Sequence, residues 1–368
     1  MVAKKLIYKL HMIILWKKWH MEHGGAALLS EVFRSDYKKH SSHMLKVYSI
    51  HCKGFTWDDW HVNNLADKNY CEYLKSAQYY AMHPLNGSYS HWIDDKLTLK
   101  YLCAGTDLDK YMPKYYYQIN EKGNVFALTD SSQSDGRADI DNVLDLLEEL
   151  GELAIKRVAG SLGEGFYKIS YKAGMYMWND EAISKIEISK RLSKLREYLI
   201  TEYLHPHQDM IPFGADTVNT LRYLIGRDSE SGKMNLIKSY IRFGTEKSGF
   251  VENYGAGGVL CFLSNDRKFN SGKMLDMDTM KNIILNKHPD TGVLLNGKIP
   301  LWDEIKKAAW LFGRYFPQMD YLGIDFVVTN KNEVKILEIN SLTSLDALQL
   351  EGSVLESPAA NFFKERIK

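Results

Sequence analysis

The chain lacks three features that would each assign it to a definite class of protein. Its four cysteines are far apart and form no CxxC pair, which argues against a disulfide framework or a zinc site and favours reduced thiols in a cytoplasmic protein. With 47 basic and 46 acidic residues the net charge is +1, so overall charge favours neither nucleic acid nor an anionic membrane as partner. No apolar run approaches the roughly 20 residues of a transmembrane helix.

The composition is otherwise ordinary for a globular protein, with 45% hydrophobic and 25% charged residues, and 368 residues suggest two or three lobes. Residues 1–19 are apolar and basic, but Lys9 and His11 interrupt the apolar run and no small-residue cleavage site follows, which argues against a signal peptide. We expect a helix that packs on its own domain, with peripheral contact to a membrane or a partner as the alternative. Residues 1–85 as a whole are predicted to be mainly helical.

Residues 321–348 predict a hairpin that carries oxygen ligands. A polar turn separates two strands, Leu322–Val328 and Val334–Asn340. Because side chains alternate along a strand, the second strand is expected to place four side chains on one face: Val334, Ile336, Glu338 and Asn340. A carboxylate in an apolar strand is costly unless it pairs or binds a metal, and Asp325 can converge with Glu338 and Asn340 across the hairpin. These are ligands that Mg²⁺ prefers. The alternative is a solvated strand face with scattered charges.

A second predicted hairpin, within Leu153–Tyr171, has a glycine-rich connection. Its first strand contains Lys156, its returning strand contains Lys168, and the loop Gly160–Gly165 has three glycines in six residues. Backbone N–H groups of such a loop can approach phosphate oxygens, and a lysine at its base can neutralise them. An ordinary hairpin turn explains the same pattern.

Upstream of this hairpin, the sequence predicts a short helix from Lys96 to about Cys103, with Asp94 or Asp95 as its cap. A lysine in the first turn opposes the helix dipole, so its charge gains no electrostatic stabilisation from the helix. Its position therefore favours an anionic partner elsewhere in the fold, although a surface lysine is the simpler explanation.

Downstream, a strand at Tyr198–Leu204 breaks at Pro206, as expected of a hinge between two lobes, where backbone groups can bind the edge of a purine. A further strand follows Asn219 and contains Arg222 between apolar residues, and Arg242 has a similar setting. A buried arginine needs an anion, and its planar fork suits phosphate or carboxylate.

Seven segments of the chain occur in an order typical of one known superfamily. They are the helix start at Asp94-Asp95-Lys96, LAIKRVAGSLGEGFYKI at Leu153–Ile169, TEYL at Thr201–Leu204, NTLR at Asn219–Arg222, ENYGAGG at Glu252–Gly258, HPDTG at His288–Gly292, and GIDFV with LEIN within Gly323–Asn340. From about Ser88 to Gln349 the chain resembles the ATP-grasp superfamily, and within it the sugar-transfer-associated proteins of the capsular polysaccharide type.

The resemblance implies a role for each matching residue. Lys96 and Lys156 correspond to the lysines that contact ATP phosphates. The glycine-rich lid over the triphosphate corresponds to the loop that contains Ser161, Gly163 and Gly165, with Lys168 and Asn219 as further nucleotide-binding candidates. Glu202 and Leu204 correspond to the segment that holds adenine. Arg222 corresponds to the arginine that steadies the γ-phosphate, and Arg242 is the second catalytic candidate. The implied metal ligands are Asp325, Glu338 and Asn340, holding one or two Mg²⁺.

The implied fold is α+β, with two α+β lobes that clasp ATP and a mainly helical N-terminal extension. We expect a helical region at 1–85, a lobe with the glycine-rich lid at 86–200, a lobe with the metal-binding hairpin at 201–352 and a helical tail at 353–368. Two departures stand out. Many ATP-grasp ligases carry an arginine just before the metal-binding Asp, where this chain has Leu322-Gly323-Ile324. The usual small α/β substrate lobe is also not evident in residues 1–85.

The implied function is that of an ATP-dependent carboxylate–amine ligase that acts through an acylphosphate. Its expected substrates are a small-molecule carboxylate, such as a sugar acid, and an amine, in cell-surface polysaccharide or related biosynthesis. A kinase on the same scaffold would use the same nucleotide residues, so the motifs do not separate the two. A nucleotide-binding scaffold protein without turnover is a third alternative.

Overall fold

The computed structural model describes residues 2–22, 27–132, 136–160, 165–214, 218–249, 252, 254–264, 267–276 and 279–367. The helices are α1 (Val2–Glu22), α2 (Ala27–Lys39), α3 (Met44–Cys52), α4 (Trp57–Val62), α5 (Ser76–Met82), α6 (Ser90–Asp94), α7 (Lys96–Cys103), α8 (Ile140–Leu150), α9 (Lys185–Ser193), α10 (Trp302–Tyr315), α11 (Leu345–Gln349) and α12 (Ala360–Lys364).

The strands divide between two large antiparallel sheets and one small one. Those before residue 203 are β1 (Tyr115–Ile119), β2 (Val125–Ala127), β3 (Arg137–Ala138), β4 (Glu152–Arg157), β5 (Tyr167–Lys172), β6 (Met175–Trp178), β7 (Glu181–Ile183) and β8 (Tyr198–Glu202). Those after it are β9 (Leu221–Arg227), β10 (Met234–Phe243), β11 (Val259–Phe262), β12 (Lys268–Phe269), β13 (Gly272–Asp276), β14 (Lys281–Leu285), β15 (Gly297–Lys298), β16 (Tyr321–Val328) and β17 (Val334–Asn340). Helices and antiparallel strands are both extensive, which confirms the expected α+β class.

The first sheet has the strand order β3-β2-β1-β8-β4-β5-β6-β7. Helices α8 and α9 pack on it through buried aliphatic side chains such as Leu144 and Ile188. The Asp139 side chain accepts a hydrogen bond from the Asn142 N–H at 3.0 Å and caps α8. Ser184 caps the start of α9, and the preceding Ile183 belongs to β7.

The second sheet has the order β14-β13-β11-β10-β9-β16-β17, and α10 packs on its core. The buried side of α10 includes Ile305, Ala308 and Phe312. Helix α7 begins and ends where predicted, with Asp95 as its cap, and its buried Leu99 and Cys103 join the core of this second sheet. Strand β8 runs to Glu202, so we propose that the two lobes divide after that residue rather than after residue 200.

The predicted hairpin near residue 330 is present, but one prediction about its faces is wrong. Strands β16 and β17 pair antiparallel with Asp325 opposite Glu338, and a β-bulge follows, so that Phe326 lies opposite Ile336. The extra residue, Leu337, interrupts the alternation of side chains. Val334 and Ile336 therefore pack in the core with Ile339, whereas Glu338 and Asn340 face the opposite side. The bulge is what brings Glu338 to the same face as Asp325.

The helical region formed by α1–α5 confirms the expectation for residues 1–85, and it is packed against the second sheet. The buried Tyr79 hydroxyl lies 3.0 Å from the Tyr321 hydroxyl and donates to the Thr343 carbonyl oxygen at 2.7 Å. The Gln349 side chain exchanges hydrogen bonds at 3.0 Å with both the N–H and the carbonyl oxygen of Leu74. These buried contacts attach α5 to the segment that follows β17. In the described part of the chain, no helix has the length and apolar character needed to cross a membrane.

Candidate active site

A cavity of about 650 Å³ lies between the two large sheets. Both sheets line it, together with α7, α11 and one residue of the helical region, Tyr80. Nine of the fourteen predicted site residues are part of its lining: Lys96, Lys156, Glu202, Leu204, Arg222, Arg242, Asp325, Glu338 and Asn340. The fold therefore brings side chains that are up to 244 positions apart in the sequence to one site.

Lys96 is buried in the first turn of α7 and forms an ion pair with Glu338, an anionic partner of the kind that its position predicts. Its Nζ lies 3.0 Å from Glu338 Oε2 and donates to the Gly160 carbonyl oxygen at 3.1 Å. The lysine thus connects the metal-ligand candidate on β17 with the start of the glycine-rich loop after β4. A bound polyanion at this position would meet an ammonium group already held in place.

Lys156 lies on β4 beside a buried aromatic ring. Its Nζ donates to the Tyr115 hydroxyl at 3.0 Å and lies 4.5 Å from the centre of that ring. Burial, followed by repulsion from Lys96, lowers the pKa of Lys156 to about 7. A phosphate group would offset both effects, because a nearby negative charge favours the protonated amine.

Arg222 and Arg242 both bind the carboxylate of Asp325. Arg222 lies opposite Asp325 in the β9–β16 register and forms a two-pronged ion pair through Nε and Nη2, the latter at 2.9 Å. Arg242 reaches the same carboxylate from β10, with Nη2 2.8 Å from Oδ2. Burial opposes ionisation of Asp325, but the two guanidinium groups outweigh burial and hold its pKa below the usual value. The cluster carries a net positive charge.

Gly323, two residues before Asp325, leaves room for the Arg222 side chain. A Cβ at Gly323 would lie 2.5 Å from Thr343 Cγ2 and 3.5 Å from Arg222 Nη1. Any larger residue at position 323 would therefore displace Thr343 and crowd the guanidinium group. Arg222 reaches this place from the neighbouring strand, and so supplies positive charge where the expected arginine before Asp325 is absent.

Whether the proposed ligands suit Mg²⁺ depends on which of their oxygen atoms are not already used in hydrogen bonds or ion pairs. Glu338 and Asn340 are both half-buried at the cavity, where Asn340 Nδ2 donates to Glu338 Oε1 at 3.3 Å and leaves the amide oxygen of Asn340 available. Asp325 uses three of its roughly four lone-pair directions on the arginines, so one remains for a cation. The set fits a hard cation, with Glu338 and Asn340 as its main ligands.

Two of the predicted nucleotide residues lie on the interlobe segment as expected. Glu202 ends β8, and Leu204 follows it on the way to the second sheet. Both line the cavity beside Thr201 and Tyr203. This edge combines a strand end, exposed backbone and an apolar side chain, which suits a flat aromatic base.

Two of the predicted nucleotide residues, Lys168 and Asn219, are not part of the cavity lining. Lys168 is directed to Glu152, with Nζ 3.5 Å from Oε2, and its Nζ lies 4.2 Å from the Tyr203 ring centre. Asn219 is buried and donates to the Met210 carbonyl oxygen at 3.2 Å, so it holds its own loop. Lys168 was expected from its place on the returning strand of the glycine-rich hairpin and Asn219 from the NTLR segment, and neither feature determines the direction of a side chain.

The glycine-rich loop is described only at its two ends. Gly165, which also lies outside the cavity lining, has φ +74°, and a Cβ there would lie 2.5 Å from the Tyr198 hydroxyl. Glycine is therefore required at this position for both conformation and space. Ser161 and Gly163 lie outside the described residues.

A second group of lining residues, the acidic end, contains a carboxyl group and three tyrosines, and sequence reasoning missed it. Asp346 on α11 lines this end with Tyr80 of α5 and Tyr240 and Tyr254 of the second lobe. The Asp346 carboxylate accepts hydrogen bonds through Oδ1 from the Ser344 hydroxyl and from the Ala347 N–H at 2.7 Å. Burial raises the pKa of Asp346. An acid within the apolar LTSLDAL stretch was the available signal in the sequence.

A second carboxyl group, Asp59, lies behind Asp346 in the helical region. Asp59 on α4 is buried and accepts hydrogen bonds from the Thr56 hydroxyl at 2.7 Å and the Ser76 hydroxyl at 2.5 Å. Burial and then the charge of Asp346 raise the pKa of Asp59 to about 7. The negative charge of Asp346 therefore disfavours ionisation of Asp59, and Asp346 is the one of the two acids that lines the cavity.

Comparison with known proteins places most of the chain in one family model. Residues 75–364 match the model described as sugar-transfer associated ATP-grasp. No curated protein sequence matches the chain.

Solved structures with a similar fold include D-alanyl-alanine synthetase A from Vibrio cholerae (13% identity, TM-score 0.43, 77% of this chain and 66% of that one). An L-amino acid ligase from Bacillus licheniformis (9% identity, TM-score 0.39) matches 74% of this chain and 46% of its own. The ADP complex of N5-carboxyaminoimidazole ribonucleotide synthetase (10% identity, TM-score 0.37) matches 68% of this chain. This chain spans 45% of that last structure.

Proposed function

Because the chain belongs to the sugar-transfer associated ATP-grasp family and has the ATP-grasp fold, we propose that it is an ATP-dependent carboxylate–amine ligase. The observation that carries the proposal is the charge distribution of the cavity. The lining has a cationic end, formed by Lys96, Lys156 and the arginine pair, and an acidic end that contains Asp346. A site with both groups is suited to a reaction between an anionic acylphosphate and an amine that enters as a cation.

The cationic end is suited to the nucleotide. Adenine would lie at the Glu202–Leu204 edge, with the phosphates extending towards Lys96 and Lys156. Phosphoryl transfer depends mainly on positioning and on neutralising the negative charge of the transferred group, so fixed cations are the groups that it needs. Glu338 and Asn340 would hold Mg²⁺, with Asp325 as a further ligand. When bound, the metal neutralises charge on the β- and γ-phosphates.

In the first step, a carboxylate oxygen of the substrate forms a bond to the γ-phosphorus, the bond to the β–γ bridging oxygen breaks, and ADP leaves. Arg222 and Arg242 line the cavity, and in this proposal the charge would develop beside them. Their guanidinium groups would orient the substrate carboxylate and stabilise the acylphosphate, because a guanidinium fork matches both groups.

In the second step, the amine nitrogen forms a bond to the acyl carbon and inorganic phosphate leaves. An amine enters as an ammonium ion at neutral pH and must lose a proton before it can attack. Asp346 would bind the ammonium group and accept that proton, since its raised pKa makes the carboxylate a better base. The amide product retains the carbonyl oxygen that phosphate did not remove.

The sugar-transfer association of the family supports a sugar acid as the carboxylate, within cell-surface polysaccharide biosynthesis in the cytoplasm. The test is magnesium-dependent ADP release with sugar acids paired with amines, followed by mass spectrometry of the product. We expect an amide, and a hydroxamate when hydroxylamine replaces the amine. A phosphate ester that accumulates without any amine would instead establish a kinase. Tight ATP binding without ADP release for any pair would indicate a scaffold protein.

A further inference from the structure

Helix α1 has two apolar faces, of which the protein covers only one. The covered face contains Met12 and Trp19, which are buried against the other helices of the N-terminal region. Leu15 and Trp16 pack beside them. Their spacing of three and four residues is that of one helix face. This face explains how α1 is attached to the rest of the molecule.

The opposite face of α1 is a continuous exposed apolar stripe. Six large side chains form it, at intervals that place them together on a helix: Leu6, Ile7, Leu10, Ile13, Ile14 and Met21. Ile14 is 63% exposed and Met21 is 76% exposed. With 100° between successive residues, the stripe is centred about 180° from the covered face. Scattered exposed apolar residues are ordinary, but a contiguous stripe of this kind indicates an interaction surface.

The charges around the stripe have one sign. Between residues 2 and 21 the helix has five lysines and two histidines and no aspartate or glutamate, and Glu22 is its first acid. By helical geometry Lys18 borders one edge of the stripe, Lys9 borders the other, and Lys17 lies within it. An apolar face bordered by lysines is the pattern of a helix that lies in the plane of a membrane interface.

We propose that α1 binds the surface of a membrane that contains anionic lipids, with the stripe inserted at the level of the headgroups. Charge complementarity decides between this occupant and a second copy of the chain. Two copies paired through the stripe would bring their lysines together, whereas anionic headgroups neutralise them. The helix would lie on the membrane and not cross it, in agreement with the absence of a spanning helix among the described residues.

The attachment would also orient the cavity. Trp19 of α1 packs in one cluster with Ala77 and Tyr80 of α5, and Tyr80 lines the acidic end of the cavity. The proposed membrane-binding helix therefore shares a hydrophobic cluster with the helix that borders the proposed amine end. A membrane-bound enzyme would receive its acceptor close to the lipid surface.

The experiment is co-sedimentation of the full-length protein with vesicles. We expect the protein to pellet with phosphatidylcholine vesicles that contain phosphatidylserine, to remain in solution with pure phosphatidylcholine, and to be released by salt. Leu10→Glu and Ile14→Glu should each lower the bound fraction on the order of tenfold. Ile186→Glu, at an even more exposed isoleucine on α9, is the control and should bind like the wild type. Circular dichroism verifies that all variants are folded.

The proposal is overturned if the wild type stays in solution with both kinds of vesicle, or if Leu10→Glu and Ile14→Glu pellet like the wild type. It is also overturned if sedimentation velocity shows a dimer that Ile14→Glu dissociates, because the stripe would then bind a second copy. None of these outcomes depends on the enzymatic activity, so the inference can fail while the proposed ligase function stands.

Discussion

The two ends of the cavity differ in how their charges are balanced. At the cationic end, Lys96 is paired with Glu338, and Arg222 and Arg242 are paired with Asp325, all at about 3 Å. At the other end, no described residue forms an ion pair with Asp346. At the first end, three of the four cations are already paired before any ligand binds, whereas the acid at the second end has no cationic partner among the described residues.

The difference indicates what each end contributes. Buried ion pairs seldom add much net stability, but breaking one is costly because the remaining charge stays buried. The cationic end therefore holds its groups in fixed positions at which a triphosphate can compete for the lysines. The acidic end has no such internal partner, so the co-substrate itself would complete it.

The largest effect expected is on stability at the cationic end. Arg222→Ala leaves Asp325 buried with Arg242 alone, and should lower the free energy of unfolding by about 3 kcal/mol in urea titrations. Arg191→Ala, which removes a surface pair with Glu181, is the control and should cost less than about 1 kcal/mol. If both variants lost the same free energy of unfolding, the Arg222 network would contribute no more to stability than a surface ion pair.

The next effect is on turnover. Glu338→Ala removes a candidate metal ligand and the partner of Lys96, so the rate of ADP release should fall on the order of 10² to 10³-fold. Glu333→Ala, in the exposed turn of the same hairpin, should keep the wild-type rate. A Glu338→Ala protein with full activity would contradict the assignment of Glu338 as a metal ligand.

Asp346→Asn tests the acidic end. We expect kcat/KM for the amine to fall about 10²-fold while KM for ATP changes little, because only the amine would contact this carboxylate. The loss should shrink as pH rises and free amine accumulates, which a merely structural role would not produce. Asp67→Asn, at an exposed acid of the same helical region, is the control. Equal loss of ATP affinity would place Asp346 at the nucleotide instead.

The smallest expected effect concerns Asp59, the acid that lies behind Asp346. The raised pKa of Asp59 means that the folded protein keeps a proton that the unfolded chain loses above pH 4, so stability should fall as pH rises from about 4 to 7. Asp58, Asp346 and Tyr80 are the titratable neighbours. Asp59→Asn should remove a slope of about 1 kcal/mol per pH unit, measured by urea unfolding at pH 5 and 6.5. An unchanged slope would mean that Asp59 is ionised.

Much of the cationic end could be predicted from the sequence. Three residues of this end conflict with their local sequence. Lys96 is a cation in the first turn of a helix, and Lys156 and Arg222 are charges inside apolar strands. Asp95 also caps α7 as its sequence pattern predicts. Such local conflicts are informative because a buried charge must be paired, so each one indicates a partner even when the partner is far away in the chain.

The acidic end could not be predicted in this way. Tyr80 and Asp59 come from a helical region without any motif, and they approach Asp346 only because buried contacts such as Tyr79 to Tyr321 attach that region to the second sheet. Lys168 illustrates the same limit, since its strand was predicted correctly and its side chain turned to Glu152.

Local patterns were thus sufficient for helix α7, for the strands of the two hairpins and for the family to which the chain belongs, because caps, side-chain alternation and turn residues act over a few positions. The tertiary structure alone decided which groups meet. The bulge at Leu337 turned Glu338 into the cavity, and Gly323 made room for an arginine from the neighbouring strand. Both depend on strand register and on packing space, which are properties of residues distant in sequence.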